Sequence, residues 1–396
     1  MVEEENIPGY VAARYYPTRI GEILKDRYQV VGKLGFGASS TVWLARDMDR
    51  RRYVALKIFI KSASMGQQLD DELRIYKRIA VSQRHPGHEY VRSLLDSFDI
   101  DGPEDKHRCL VHPPLWESVL AFLFRNPIRR LPTPVLAVTL HRLFLALDYL
   151  HTECKIIHTG IKFSPNLYFY SLLIILSDIK ADNLMFGISD DSVFTDFEET
   201  ELQDPCPRKE VDGRVIYISR NLRMPKQLGA PILCDFGSAV FGDEEHSEDI
   251  QPDIYRAPEV ILEVPWTYSV DVWNAGCMIW DLFEGGSLFS GQDSEFQRYR
   301  SRAHLAEMIC LLGPPPPSLL ARGKSTPKFF SEDGEFCAGV SVQGHTPLQE
   351  RETSLEGQEK EKFLRLVRKM LQWEPEKRSS AKELEQDEWV QNEIHK

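Results

Sequence analysis

The sequence predicts an α+β fold in which a small β-rich lobe is followed by a larger helical lobe. Three observations predict it. Between Tyr28 and about Ile60, short β-branched and aromatic runs are separated by Gly-rich or Arg/Asp-rich turns. Leu69, Leu73, Tyr76 and Ile79 or Ala80 then recur at helical spacing within residues 67–80. After Pro114 the chain is mostly helical, and Val135 to Leu150 is apolar on several faces, as a buried helix is.

In chain order, residues 1–27 contain Pro and Tyr without a clear period and read as an extended lead-in. Strands are expected at Tyr28-Gln29-Val30-Val31, Thr41-Val42-Trp43-Leu44 and Tyr53-Val54-Ala55-Leu56. Residues 269–290 and 361–372 repeat the helical spacing. Segments 187–230 and 312–358 are rich in Pro, Gly and charge and read as insertions or long surface loops. No internal repeat is present. One domain over 28–394 is expected, with its lobes at 28–111 and 112–394.

The chain has 396 residues, 42% hydrophobic and 27% charged, which is the balance of a soluble globular protein. Its net charge of −12 argues against direct nucleic-acid binding, because phosphate contacts need basic patches. It suits a protein that receives basic peptides, although charge by itself is explained first by solubility alone. The Cys count of 7 is odd, widely spaced and without a C-x-x-C, which disfavours a disulfide scaffold or zinc site and fits a reducing compartment. The acidic start, Met1-Val2-Glu3-Glu4-Glu5, lacks the basic, then apolar, pattern of a signal peptide. The apolar run Leu167–Leu176 falls short of the ~20 residues of a membrane span. No membrane attachment is expected.

Seven short motifs carry chemistry. Leu34-Gly35-Phe36-Gly37-Ala38-Ser39-Ser40-Thr41-Val42 lies between two expected strands, where glycines let backbone N–H groups approach a polyphosphate. By itself a plain β-turn explains it as well. Val54-Ala55-Leu56-Lys57 ends the next strand on a cation that can meet phosphates. Glu72 on the following helix can pair with Lys57; otherwise it is a solvated helix charge. Cys234-Asp235-Phe236-Gly237 follows an apolar run and places a carboxylate where a Mg²⁺ ligand is wanted. Ala257-Pro258-Glu259 comes next, then Asp271-Val272-Trp273-Asn274-Ala275-Gly276 opening a helix. Last is Arg378, positioned for a buried ion pair with Glu259.

Each motif is weak alone. Together and in this order they resemble the signature set of the eukaryotic protein kinases, over roughly Tyr28 to Trp389. Within the kinases the chain is similar to the SR-protein kinase family in its fungal form. The carriers are the run Gly35 to Asp47 with Ser at the third glycine position, Tyr16-Pro17-Thr18-Arg19-Ile20-Gly21-Glu22, Ile157-His158-Thr159, Asp178-Ile179-Lys180-Ala181-Asp182-Asn183, Gly237-Ser238-Ala239 and Tyr255-Arg256-Ala257-Pro258-Glu259. The resemblance implies a bilobal kinase fold and ATP-dependent phosphorylation of Ser or Thr, with ATP and Mg²⁺ as cofactors. It implies that Leu34 to Val42 and Ala55 hold the nucleotide and that Lys57, oriented by Glu72, binds the α- and β-phosphates. Asp178 would steer the substrate hydroxyl proton, Lys180 would stabilise the transferring phosphoryl group, and Asn183 and Asp235 would hold Mg²⁺. Glu259, Asp271 and Arg378 would be structural. Cys109 to Pro114 would be the hinge whose backbone meets adenine. The expected substrates are Ser residues in basic Arg/Ser-rich proteins such as splicing factors. The expected state is a monomer, and the expected location is cytoplasm and nucleus.

The catalytic loop departs from the family pattern His-Thr-Asp-Ile-Lys-x-x-Asn. Here 18 residues, Gly160 to Ser177, separate His158-Thr159 from Asp178. They include Phe163, Leu167, Tyr168, Phe169 and Tyr170, an odd composition beside a site that admits ATP and peptide. The stretch reads as an in-frame retained intron, since Gly160 and Ser177 codons can supply GT and AG boundaries that restore Thr159-Asp178. The alternative is a genuine insertion. Displacing Asp178 by even ~1 Å costs about a hundredfold in rate, which would leave an impaired kinase or a scaffold.

Two further expectations concern regulation. Thr159 stands where many kinases have the Arg that meets an activation-loop phosphate, so activity should need no such phosphate. Asp243, Glu244, Glu245, Glu248, Asp249 and Asp253 lie in the same loop, either to attract Arg-rich substrate or as an ordinary solvated charge run. Segment 187–230 is read as a solvated surface insertion, with docking or localisation as the alternative.

Overall fold

The computed structural model describes residues 3–81, 84–160, 183–342, 344 and 347–396. Its first lobe is built on one antiparallel sheet: β1 (Ile23–Leu24), β2 (Tyr28–Phe36), β3 (Ser40–Asp47), β4 (Arg52–Lys61), β5 (Asp96–Asp101) and β6 (Lys106–His112), in the spatial order β1-β2-β3-β4-β6-β5. The three strands read from sequence are β2, β3 and β4. The alternation of side chains along a strand gives this sheet two apolar faces. Val30, Trp43, Val54, Leu56 and Val111 share one cluster. Val31, Leu44, Phe59 and Leu110 point the other way, into the main core. After a short turn of helix, α1 (Ser62–Met65), comes α2 (Gln68–Ile79), which buries Leu69, Ile75, Tyr76 and Ile79 against the inner face together with Glu72.

The second lobe contains α3 (Val119–Arg125), α4 (Thr133–Asp148) and, further along, α5 (Ser192–Gln203), α6 (Pro258–Ile261) and α7 (Ser269–Glu284). α4 continues through a wider π-helical turn to Cys154. The stretch Thr133–Cys154 is long and apolar enough to cross a membrane by composition. Here it is a core helix, packed against α7 and the C-terminal helices. α7 is buried nearly all round, which explains why residues 269–284 are apolar on every face. A helix at Gly357–Met370 closes the lobe.

Two expectations are corrected. Segment 187–230 is not a solvated insertion. It contains α5 and a hairpin of β9 (Arg208–Val211) and β10 (Arg214–Tyr217), with Asp212 and Gly213 both at positive φ in the turn. Cys206 and Tyr217 complete the outer apolar cluster of the first-lobe sheet, and Tyr217 meets Trp43 edge-on at 5.8 Å. Phe197 of α5 lies so close to Gly32 of β2 that a Cβ there would fall 2.7 Å from its ring. Polar residues dominate the segment's composition, so its few buried aromatics do not stand out in the sequence.

Nor is the N-terminal lead-in merely extended. Short 3₁₀ turns at Glu4–Asn6 and Ala12–Arg14 bring Glu3 and Glu4 onto the buried ammonium of Lys33. Arg214 of β10 reaches Glu4 at 2.7 Å, and Ser219 donates its backbone N–H to Glu3 at 2.7 Å. The first residues and segment 187–230 thus close over β2 as one strap. A charge as buried as Lys33 persists only when paired, and both carboxylates supply that pairing.

Candidate active site

The cleft between the lobes is a cavity of ≈ 270 Å³. Leu34, Gly35, Val42 and Ala55 form its roof from β2, β3 and β4, Met185 its floor, and Leu115 its outer wall beyond β6. These roof residues are among those picked out in the sequence. The Gly-rich motif turns between β2 and β3, with Gly37 N–H donating to the Ser40 carbonyl at 2.8 Å. Ala38 and Ser39 sit at the tip. Ser40 and Thr41 are buried in β3, and Thr41 Oγ1 accepts from the Trp43 indole at 2.9 Å, so that hydroxyl belongs to the sheet and not to the cavity.

Lys57 projects from β4 to Glu72 of α2, Nζ to Oε1 at 2.8 Å, and stands 3.8 Å from Asp235 Oδ1. Burial works to lower the Lys57 ammonium, but the Glu72 and Asp235 carboxylates outweigh it and hold the group above its usual value. The lysine is therefore a fixed cation facing the cleft. Glu72 can reach it because α2 turns its apolar stripe, with Glu72 in it, toward the sheet.

Asp235 adopts the left-handed region at φ 62, which turns its side chain toward the cleft while Phe236 is buried. The Phe236 ring packs edge-on to Tyr76 of α2 at 5.4 Å and to His158 at 5.2 Å. One continuous stack thus ties the first lobe to the base of the catalytic loop. The strands β8 (Leu184–Ile188) and β11 (Leu228–Leu233) pair in register Leu184↔Leu233, β7 being the short Ile156–Ile157. Cys234 N–H donates to the Asn183 carbonyl at 2.7 Å, which brings Asn183 beside the start of the Asp235 motif. Asn183 is buried, with its Nδ2 unpartnered among the described residues. The Asp235 carboxylate and the Asn183 amide oxygen are hard-oxygen donors of the kind that fit Mg²⁺.

Asp271, at the start of α7, is buried beneath the turn of His158 and Thr159. Its oxygens accept their backbone N–H groups at 2.8 and 2.9 Å, and His151 Nε2 lies at 2.9 Å. Burial would raise this carboxyl, yet His151, His158 and the backbone donor hold it below the usual aspartate value. Thr159 has φ 63, a left-handed conformation that strains a β-branched residue by about 1–3 kcal/mol. Asp271 holds that strain in place. Thr159 Oγ1 donates to the Ser238 carbonyl at 2.7 Å, joining the loop base to the segment after Gly237. The Glu259–Arg378 pair is bidentate at 2.5 and 2.7 Å, with both side chains fully buried and Arg378 also over the Trp273 ring.

Asp178 and Lys180, together with nearly all of Gly160–Ser177, lie outside the described residues. Sequence reasoning missed three contributors. Tyr15 donates its hydroxyl to the Gly37 and Ala38 carbonyls at 3.2 and 3.1 Å, so the lead-in holds the tip of the Gly-rich turn. Arg220 to Leu222 reach the mouth of the cavity from segment 187–230, where the Trp116 indole donates to the Leu222 carbonyl at 3.3 Å. Arg92 lines the inner end. None has a local pattern that would have marked it; only the aromatic Tyr15-Tyr16 pair hinted that the lead-in packs on something.

Comparison with known proteins agrees with this geometry. The protein kinase domain profile matches residues 28–167 and 166–390, so the chain belongs to the protein kinases. A serine/threonine protein kinase of Aspergillus fumigatus is 40% identical over 98% of this chain and 91% of its own length. The serine/threonine-protein kinase SRPK of Physarum polycephalum is 32% identical over 96% of this chain and 90% of its own, and human SRSF protein kinase 3 is 25% identical over 98% and 90%. A crystal structure of the PF14_0431 kinase domain superimposes with a TM-score of 0.70 at 22% identity, covering 95% of this chain and 99% of that one. Within the kinases, then, this is a serine/threonine protein kinase of the SRPK-like group.

Proposed function

We propose that the enzyme transfers the γ-phosphoryl group of ATP to Ser in Arg/Ser-rich proteins such as splicing factors. The observation that carries the transfer is the Lys57–Glu72–Asp235 constellation at the inner end of the cleft. In this reading Lys57 binds the α- and β-phosphates and Glu72 keeps it aimed. Asp235 and Asn183 hold Mg²⁺, which neutralises charge on the phosphates when bound. Asp178 orients the Ser hydroxyl and takes its proton, and Lys180 stabilises the transferring group. Positioning and charge neutralisation then supply most of the rate.

The substrate class rests on relatives whose names declare SR-protein kinases, and on the acidic loop. Its carboxylates are not all available. Arg256 pairs with Asp249 and Asp253, each at 3.2 Å, and His246 stands 3.5 Å from Glu248. Asp243, Glu244 and Glu245 are exposed and form no ion pair among the described residues, so these three are the ones assigned to attracting Arg side chains. We further propose that the protein acts as a monomer in cytoplasm and nucleus, without direct contact to nucleic acid or membrane, and needs no activation-loop phosphate.

Residues 160–177 are proposed to be a retained intron. The kinase profile breaks into two matches that meet at residues 166–167, inside this stretch, which marks it as additional to the family pattern under either an intron or a genuine insertion. The split loop also favours a second reading, a scaffold that binds ATP or Arg/Ser peptide without transfer. Phosphate transfer to an Arg-Ser repeat peptide separates them, with the chain as written assayed beside one lacking Gly160–Ser177. Activity in the shortened chain alone supports the intron. Activity in both makes the stretch a tolerated loop. Activity in neither favours the scaffold.

A further inference from the structure

The inner end of the cleft holds a second cation besides Lys57. Arg92 follows Val91, which bridges to Leu233, and its backbone N–H donates to the Leu233 carbonyl at 2.8 Å. This ties Arg92 to the residue just before the Asp235 motif, and Arg92 lines the same cavity as Leu115. Its charge acts on Lys57, Tyr76, His112 and Cys234, which surround that inner end.

Among the described residues no carboxylate forms an ion pair with this guanidinium. Glu72 is engaged by Lys57, and among the described residues the buried Nε of Arg92 has no hydrogen-bond partner. The neighbouring His112 is fully buried, and burial first, then the Arg92 charge, holds its imidazole neutral. His112 Nδ1 lies 2.9 Å from the Ser93 carbonyl, so it carries the ring proton, and Nε2 has no partner among the described residues. The inner wall of this cavity is therefore polar and cationic. His112 Nε2 then presents a lone pair, and Arg92 is the donor of this wall; a buried donor left unpaired is costly, so Arg92 wants an acceptor from whatever enters.

A purine seated with its Watson–Crick edge on the backbone near Leu115 turns its imidazole edge inward. N7 is the acceptor on that edge. We propose that Arg92 is a specificity-determining residue that donates a hydrogen bond to N7 of the bound purine nucleotide. This rests on the reading of the cleft as the ATP site. The phosphates are left to Lys57, and the base gains a charge-assisted contact.

The test is calorimetric binding of ATP and 7-deaza-ATP, which replaces N7 by C–H, to the full chain, to Arg92→Leu and to Arg92→Gln. Wild type is expected to prefer ATP about tenfold, a charge-assisted hydrogen bond's worth. The preference should fall to about twofold or less in Arg92→Leu and lie between these in Arg92→Gln, which keeps a donor without the charge. Thermal melts establish that each variant is folded, and the Gln variant carries the comparison if the Leu variant is not. Equal binding of the two nucleotides by wild type overturns the inference while leaving the ATP site intact. A parallel loss of both nucleotides in Arg92→Leu overturns it too, by assigning the guanidinium to the phosphates. No ATP binding by wild type overturns the reading of the cleft itself.

Discussion

Asp271 accepts the backbone N–H groups of His158 and Thr159 and holds a β-branched residue in the left-handed region. Its lowered carboxyl makes a prediction with a definite sign. The folded chain binds fewer protons here than the unfolded one, so this contribution is fully present above the unfolded value of about 3.9 and is lost as pH falls through the lower native value. The stability gap between wild type and Asp271→Asn, measured by urea unfolding, should be steady from about pH 5 to 8 and narrow below about pH 4. A gap unchanged down to about pH 3 would contradict the assignment. Lys57 makes the complementary case at the cleft. Lys57→Met removes the fixed cation and strands the buried Glu72 carboxylate, so the melting temperature should fall, and kcat/KM for peptide phosphorylation, measured below that melting point, should drop by roughly 10²–10³ or more. A variant retaining wild-type kcat/KM would remove Lys57 from the chemistry.

At the scale of elements, α2 and the strap over β2 decide how the cleft is held. α2 carries Glu72 to Lys57 and Tyr76 to Phe236, so a shift of this one helix would undo both contacts. The strap works from the opposite side of the sheet. Lys33 binds Glu3, Glu4 and the Tyr217 carbonyl, and Tyr15 holds the Gly-rich turn. Lys33→Met leaves two buried carboxylates facing one another, with Arg214 the only remaining cation described there on Glu4. It should cost about 3–5 kcal/mol in chemical unfolding. Tyr15→Phe loses hydrogen bonds worth about 1 kcal/mol and should raise KM for ATP more than it lowers kcat. An unchanged KM would separate the lead-in from the nucleotide loop.

Across the whole molecule, the Glu259–Arg378 pair connects residues 119 positions apart, from the end of the activation segment to the C-terminal region. Both partners are fully buried, so removing one strands the other. Arg378→Ala should destabilise the protein by about 3–5 kcal/mol, and the double variant Glu259→Met with Arg378→Met should recover much of that loss. Unfolding curves of the three proteins measure both effects. A double variant as unstable as the single one would show that the pair contributes more than mutual neutralisation. The Phe236 stack between Tyr76 and His158 is the corresponding apolar link between lobes.

The sequence by itself determined the class. Strand runs, the α2 period and seven ordered motifs suffice for a two-lobed kinase, because a strand needs alternation and a phosphate site needs glycines, a cation and metal-binding oxygens at fixed places along the chain. Lys57 with Glu72, and Glu259 with Arg378, were legible as pairs for the same reason: each sits in a motif that names its partner. What only the tertiary structure decided were contacts with no local period. Glu3 and Glu4 read only as an acidic start unlike a signal peptide and are among the most buried charges, because Lys33 lies beneath them. Segment 187–230 read as a polar insertion and covers a sheet face, because a few aromatics spaced irregularly are enough to close an apolar patch once folding brings them to it. Arg92 read as nothing in particular, and became a candidate base-reading group only when the Leu233 bridge set its side chain in the cleft. Local patterns report what neighbours along the chain require; burial and charge pairing across long separations are set by packing, which no local pattern records.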